Sequence, residues 1–325
     1  MSNPIVSICC ITYNHAPFIR KALDGFLMQL PPLCVPRGAK MSDWCEILIH
    51  DDASTDGTDD IIREYTAKYP DLIFPLYEEV NQYAQIGIGR MDLFNYLRAK
   101  GKYIAYCEGD DYWIEPHKLQ KQVDFLETHP DYSICFHACR IFDTRTKEFY
   151  YEPHKTPEGI TSGGIDVTSD MFLVGKFGAQ PLTMVMRRSM YDMTWPLIYP
   201  RYSDTHEVYN MLRRGKGYFM AFIGGVYHRH NGGVTTSRSE SQCCEEVRDC
   251  FCSLYMRNKD DNVLRSRLVK TLLWNYDVYK SGGRLKEFNM KILHLFGEMP
   301  LVILRVLIKI MKKEFKCVIN LSNYL

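Results

Sequence analysis

Residues 103–113 of this chain read YIAYCEGDDYW, and no other stretch constrains the fold as strongly. Residues 103–107 are apolar and rich in β-formers; they end abruptly in three carboxylates, Glu108, Asp110 and Asp111, followed by two aromatic residues. A short apolar run closed by polar residues is the pattern of a strand buried on both faces of a parallel sheet. Open α/β folds bind their ligands outside the carboxyl ends of such strands. Three neighbouring carboxylates repel one another, so the fold must either solvate them or supply a cation. Carboxylate oxygens suit hard divalent ions, and Mn2+ or Mg2+ sites take one or two of them and leave other positions to phosphate oxygens.

Two further stretches repeat the pattern. Residues 46–50 are apolar apart from Glu46 and His50 and lead into Asp51, Asp52 and the small polar run ASTDGT, after which residues 59–69 have helical spacing. Residues 5–11 form an apolar run ending in Thr12, Tyr13 and Asn14. The helical segment 16–30 begins directly behind those three residues, with Pro17 in its first turn, so its N–H groups and dipole could face a nucleotide. Three strands ending in polar turns, with helices between them, predict a nucleotide-binding α/β sheet. Ser54, Asp56 and Thr58 suit turn and capping chemistry, Asp56 being equally open to a ligand contact. Further along, the spacing predicts a strand at 73–79, helices at 91–100 and 116–129, a strand at 133–142, a loop region at 143–164 and a strand at 218–226. The proline-rich segment 31–43 reads as a surface insertion.

The order of these motifs, VSI then TYN, DDASTDGT and EGDDYW, resembles the family 2 glycosyltransferases over about residues 1–235. The resemblance implies a GT-A fold and inverting, metal-dependent transfer from a nucleotide-sugar donor. Under it, residues 1–142 form the donor half and 143–238 the acceptor half of a catalytic domain spanning 1–238. Thr12, Tyr13, Asn14, Asp51 and Asp52 fall to the donor site, with Asp52 accepting the uracil N3–H. Arg90 could reach the diphosphate as a planar bidentate donor or sit solvated at a helix start. The family's aspartate-x-aspartate motif maps onto Glu108, Gly109 and Asp110. Its first acid is therefore Glu, which leaves Asp110 as the direct ligand of Mn2+ or Mg2+, with Glu108 and Asp111 beside it. Gly109 leaves room for the ligand, while Tyr112 and Trp113 are either an aromatic wall or buried packing.

The resemblance carries two further assignments. An acid at the start of the helix that precedes a Gly-Lys pair deprotonates the acceptor hydroxyl in the family; that acid is Asp204, with Glu207 as runner-up. Asp204 is also a residue type favoured at a helix N-cap. Where the family often carries Tyr-Arg-x-His, this chain has Tyr227, His228, Arg229 and His230. His230 takes the metal- or diphosphate-holding place, His228 stands where Arg is expected, and Arg229 is the available substitute.

Composition narrows the alternatives. A formal net charge of +1, with no basic stripe beside the acidic motifs, argues against nucleic acid. The 12 cysteines are scattered without a Cys-x-x-Cys pair, which fits reduced, buried thiols in a cytoplasmic protein. A first strand starting at Ile5 leaves no room for a signal peptide. Residues 239–325 read as a helical appendage. Within its 300–319 segment, Arg305, Lys309, Lys312, Lys313 and Lys316 fall on one stripe of a helix too charged to span a bilayer. That helix either lies on an anionic membrane at the inner face of the plasma membrane or packs on the domain with its stripe solvated. The expected partners are a nucleotide sugar and a saccharide or lipid-linked saccharide acceptor. The rivals are a nucleotidyltransferase, for which the glycine-rich phosphate loop is missing after the first strand, and a catalytically silent nucleotide-sugar-binding scaffold.

Overall fold

The computed structural model of the chain describes residues 3–86, 91–199, 202–233 and 236–322. The chain divides into two compact units, Met1–His230 and Asn231–Leu325. In the first unit the elements run β1 (Val6–Thr12), α1 (Ile19–Leu27), β2 (Cys45–Asp51), α2 (Thr58–Lys68), β3 (Ile73–Tyr77), α3 (Gln82–Ile86), α4 (Met91–Tyr96), β4 (Tyr103–Tyr106) and β5 (Tyr112–Trp113). They continue as α5 (Lys118–Thr128), β6 (Tyr132–Asp143), β7 (Glu148–Tyr150), β8 (Ile165–Val167), α6 (Ser169–Leu173), β9 (Val185–Arg187), α7 (Trp195–Ile198), α8 (Asp204–Arg214) and β10 (Lys216–Arg229).

These strands make one mixed sheet in the order β3-β2-β1-β4-β9-β6-β10-β5, with β7 paired to β6 and β8 to β10. β3, β2, β1 and β4 are parallel neighbours, β9 is antiparallel to both β4 and β6, and β10 runs parallel to β6. Period-two alternation sorts the side chains onto the two faces. Val6, Ile8 and Cys10 of β1 join α1, α2 and α5 in one apolar cluster. Cys9, Leu48, Ile104 and Tyr106 join Tyr96 of α4 and Val208 and Met211 of α8 in the other. A polar residue inside this core needs a partner. Ser7 finds one by donating to Glu46 Oε1 at 2.6 Å while accepting from the Gly101 amide at 2.8 Å.

β5 is the topological device that builds the site. Its two residues pair antiparallel with Gly225 and Val226 near the end of β10. The chain leaving β4 must therefore cross to β10 through residues 107–111, stringing the acids between two groups of strand ends. Some expectations change here. The helix behind Asn14 begins at Ile19 with Phe18 as its N-cap, so Pro17 precedes it. The loop region 143–164 holds β7, a three-residue strand that exists through its pairing with Ile141, Phe142 and Asp143. The proline-rich 31–43 segment is tied to α5, where Leu33 N donates to Asp124 Oδ1 at 2.7 Å and Gln120 donates to the Pro31 carbonyl at 2.8 Å.

The second unit is helical: α9 (Glu240–Arg257), α10 (Asn262–Ser281), α11 (Leu285–Glu298) and α12 (Pro300–Ser322). α10 packs against the other three. Leu264, Leu268, Leu272 and Tyr279 of α10, Leu254 of α9, Phe288 of α11 and Val302, Ile303 and Val306 of α12 are buried. Among the described residues no helix is long and apolar enough to cross a membrane.

Candidate active site

Four strand ends meet at one edge of the sheet. After β1 and β2 the two turns are stapled by side chains on main chain. Asn14 N donates to Ser54 Oγ at 2.8 Å, Thr55 N to Asn14 Oδ1 at 2.8 Å, His15 N to Thr58 Oγ1 at 2.9 Å and Ala16 N to Asp56 Oδ2 at 3.0 Å. Asn14 holds a left-handed φ of 55°, a conformation that Asn tolerates better than most residues. Ser54 Oγ in turn donates to Asp51 Oδ1 at 2.5 Å. The pattern gives Ser54, Asp56 and Thr58 a structural duty, and it orients Asn14 and His15 toward the next strand end.

That strand end carries the acids. Gly109 N donates to the Ile11 carbonyl at 2.9 Å, pinning the acidic turn against β1. A Cβ at Gly109 would come within 2.6 Å of Thr12 Oγ1 and 2.8 Å of Thr12 Cβ. Gly109 therefore makes room for the Thr12 side chain. Asp111 is buried, and its Oδ1 accepts from His228 N at 2.8 Å, which ties the turn to the end of β10. His228 Nδ1 also meets the Asp110 carbonyl. His230 Nε2 lies 3.0 Å from Asp110 Oδ2, and His15 Nε2 lies 3.7 Å from the same oxygen.

Among the described residues, two groups each bring their ligand atoms within 4.8 Å of one another: Glu108, Asp110 and Asp111, and His15, Asp110 and His230. Asp110 Oδ1 and Asp111 Oδ2 are buried with no hydrogen-bond partner among the described residues. Buried carboxylate oxygens in native proteins are almost always satisfied, so orphans in a cluster of ligating groups mark a place for a cation. Electrostatics agrees. Burial works to raise the Asp110 pKa, but the His230 hydrogen bond and the His15 and His230 charges outweigh it, and the net direction is down. Asp111 is pushed well above the usual carboxylate range by burial and then by the charge of Asp110. The surroundings thus drive the two adjacent acids in opposite directions. The donor set fits a divalent ion.

The other expected site residues fall as follows. Tyr13 is exposed at the rim, while Thr12 is buried with no partner for its hydroxyl among the described residues. Asp51 is buried, and burial raises its pKa against the Ser54 bonds. Asp52 accepts from Gln82 N at 2.6 Å and Tyr83 N at 3.0 Å, so its carboxylate holds the start of α3 and keeps only second lone pairs for another donor. Arg90 lies outside the described residues. Trp113 is buried, stacks edge-on to Phe26 and donates Nε1–H to the Leu182 carbonyl at 2.9 Å. It is core, and of the proposed aromatic wall only the half-buried Tyr112 remains. Arg229 pairs with Glu152 at 3.3 Å and lies over Tyr150, so the substitution expected of it for the missing Arg is not what its contacts support. His228 packs among Phe18, Tyr112 and Phe142.

Asp204 is the first residue of α8, and the N-cap is Ser203. The capping alternative for Asp204 is thereby removed. Asp204 is exposed, so an acceptor can reach it, and the surrounding protein mass still pushes its pKa up to about 6 by desolvation. Glu207, one turn on, is buried and accepts from Tyr96 Oη at 2.7 Å. His15 is the residue sequence reasoning passed over, although it is a ligand type directly following the Thr-Tyr-Asn strand end.

Comparison with known proteins follows this geometry. Among solved structures, S. aureus TarS 1–349 in complex with UDP-GlcNAc superposes with a TM-score of 0.64 at 17% identity, over 93% of this chain and 82% of that one. A mannosyltransferase from Pyrobaculum calidifontis, in complex with GDP-Man and Mn2+, gives a TM-score of 0.52 at 15% identity over 97% and 81%. The mixed sheet flanked by helices is thus the GT-A glycosyltransferase fold. The family described as Glycosyl transferase family 2 matches residues 7–194, and the chain belongs to it. The uncharacterized protein Rv1520 of Mycobacterium tuberculosis is 34% identical over 233 residues, which is 70% of this chain and 60% of that protein's length.

Proposed function

We propose that this glycosyltransferase moves a sugar from a UDP-linked donor to a hydroxyl acceptor with inversion, in the synthesis of a bacterial-type surface glycan. The observation that carries the reading is the orphaned Asp110 and Asp111 oxygens set among Glu108, His15 and His230 at the carboxyl edge of the sheet. Asp110 and His230 would hold Mn2+ or Mg2+, which when bound would neutralise charge gathering on the departing diphosphate. Thr12, Tyr13, Asn14, Asp51 and Asp52 would line the nucleoside side, with Arg90 toward the diphosphate. Neighbours of this fold that hold UDP-GlcNAc or GDP-Man and Mn2+ support a nucleotide-sugar donor.

Inversion asks for one base on the face opposite the leaving group and no covalent intermediate. Asp204 suits that role. It is reachable, it meets no cation among the described residues, and a pKa near 6 keeps it ionised at neutral pH while leaving it basic enough to take a proton. Glu207 is committed to Tyr96. Holding donor and acceptor together supplies most of the remaining rate enhancement.

A lipid-linked saccharide acceptor at the cytoplasmic face of the membrane fits the second unit. On a helical wheel α12 has three sectors. Val302, Ile303 and Val306 are buried; Leu301, Leu304, Leu307, Ile308 and Met311 are exposed; Arg305, Lys309, Lys312 and Lys313 form the third sector. An exposed apolar sector beside a cationic one is the layout of a helix lying in an anionic lipid interface. The reading is tested by a thermal-shift screen of UDP- and GDP-sugars with and without Mn2+. Stabilisation by a UDP-sugar that needs the ion, followed by UDP release in a turnover assay, supports it. Tight binding without turnover would favour a silent scaffold, and no nucleotide response would end the donor-site assignment.

A further inference from the structure

We propose that His15 is a protein ligand of the cation at Asp110, making a centre of two imidazoles and one carboxylate that favours transition ions over Mg2+. The inference rests on the reading of this edge as a cation–diphosphate site and names which ion it takes.

Geometry carries it. Three side chains from three different strand ends turn toward one point: His15 after β1, Asp110 after β4 and His230 after β10. Their ligand atoms lie within 4.8 Å of one another, with His15 and His230 Nε2 at 3.7 and 3.0 Å from Asp110 Oδ2. Donors about 2.1 Å from a shared octahedral ion sit about 3 Å apart, so a small inward movement closes the set. The two imidazole planes stand at 86°, with centroids 6.1 Å apart, so the rings are not stacked on each other.

A structural histidine would be bonded through its ring nitrogens. Among the described residues, His15 Nδ1 is buried without a partner, and Nε2 meets only Asp110, at a distance beyond a hydrogen bond. The main chain is nonetheless built to fix this residue. Its amide is held by Thr58, and the left-handed Asn14 before it is held by Ser54 and Thr55. Phe18 contacts the rings of both His15 and His230 and limits how far they can swing apart.

The donor set determines the ion. Mg2+ dehydrates reluctantly and takes oxygen ligands, whereas imidazole nitrogen suits later divalent ions, with affinity rising from Mn2+ through Co2+. An all-carboxylate edge would leave the ions nearly equivalent; each imidazole widens the gap in favour of Mn2+ and Co2+.

The test is a titration of the full chain with Mn2+ and with Mg2+, alone and with UDP present, read by calorimetry and by pulsed electron paramagnetic resonance of the bound Mn2+. The wild-type protein should bind Mn2+ at least 10-fold more tightly than Mg2+ and show nitrogen coupling from two imidazoles. His15→Ala should lose one of those couplings and weaken Mn2+ by about 10-fold or more, with Mg2+ changed less than about 3-fold. His15→Asp, which restores an oxygen donor, should narrow the Mn2+ preference, and both variants should keep the unfolding midpoint within a few degrees of wild type. Unchanged Mn2+ affinity and two persisting nitrogen couplings in His15→Ala, while Asp110→Asn abolishes binding, would overturn the role of His15 and leave the cation site standing. Absence of Mn2+ binding by the wild-type chain, with or without UDP, would overturn the underlying reading instead.

Discussion

At the scale of single residues, the site is a problem of unbalanced charge. Asp110 is half-buried and the adjacent Asp111 buried, and their pKa values are driven in opposite directions by the same surroundings. An added cation removes that conflict. Asp110→Asn is therefore expected to lower sugar transfer by about 100-fold or more, the scale of losing a preorganised electrostatic group, while leaving the fold intact; steady-state kinetics beside a melting curve checks both halves. Asp204 gives a second prediction. The carboxylate form is the base, so protonation removes it, and kcat/KM should rise with pH through about 6 and level off above. Asp204→Asn should lose most of the rate and flatten that limb of the profile. Glu108, Asp110 and Asp111 were legible in the sequence because they close an apolar run, and strand ends are where such folds bind ligands; His230 was legible through the family resemblance. His15 was not. A lone histidine in a turn is ambiguous until the fold brings Asp110 and His230 to it, and nothing local encodes that meeting. Trp113 was ambiguous for the opposite reason, since its partner Leu182 belongs to a distant turn.

Elements carry the next layer. The acidic turn keeps its position because Gly109 fits against Thr12 and β5 pairs with β10. Gly109→Ala forces atoms to within 2.6 Å of Thr12 Oγ1 and should cost about 1–3 kcal/mol in chemical denaturation, with a loss of nucleotide binding larger than the change in stability alone would cause. Helix α5 holds an unusual core residue. Lys118 is fully buried, donates to Gln122 Oε1 at 2.8 Å and sits 4.2 Å above the Trp113 ring, and burial brings its pKa down to about 7. Between pH 7 and about 10.5 the unfolded chain binds this proton and the folded chain does not, so stability rises with pH across that window. Lys118→Met should raise stability by a few kcal/mol below pH 7, with the gain fading as pH climbs toward 10; urea titrations at several pH values measure it. The long elements, β1, β2, β6, β10 and most helices, could be read from periodicity alone. β5, β7 and β8 could not, because strands of two or three residues have no period of their own and exist only through the neighbours they pair with.

For the whole molecule, the sequence foretold an α/β sheet followed by a helical region, and the structure has both. The helical unit keeps an apolar and a cationic sector of α12 exposed. Replacing Arg305, Lys309 and Lys312 together by Glu should reduce cosedimentation with vesicles rich in anionic lipid by 10-fold or more, at about 1 kcal/mol for each charge, and leave UDP binding unchanged. Donor binding as proposed depends on a cation bridging Asp110 to a nucleoside diphosphate. The most direct measurement is calorimetric titration of UDP into the wild-type chain and into Asp110→Asn, each with and without Mn2+. The expected result is UDP binding that Mn2+ strengthens at least 10-fold in the wild type and hardly at all in the variant. Equal ion dependence in the two proteins, or no effect of Mn2+ on either, would contradict it.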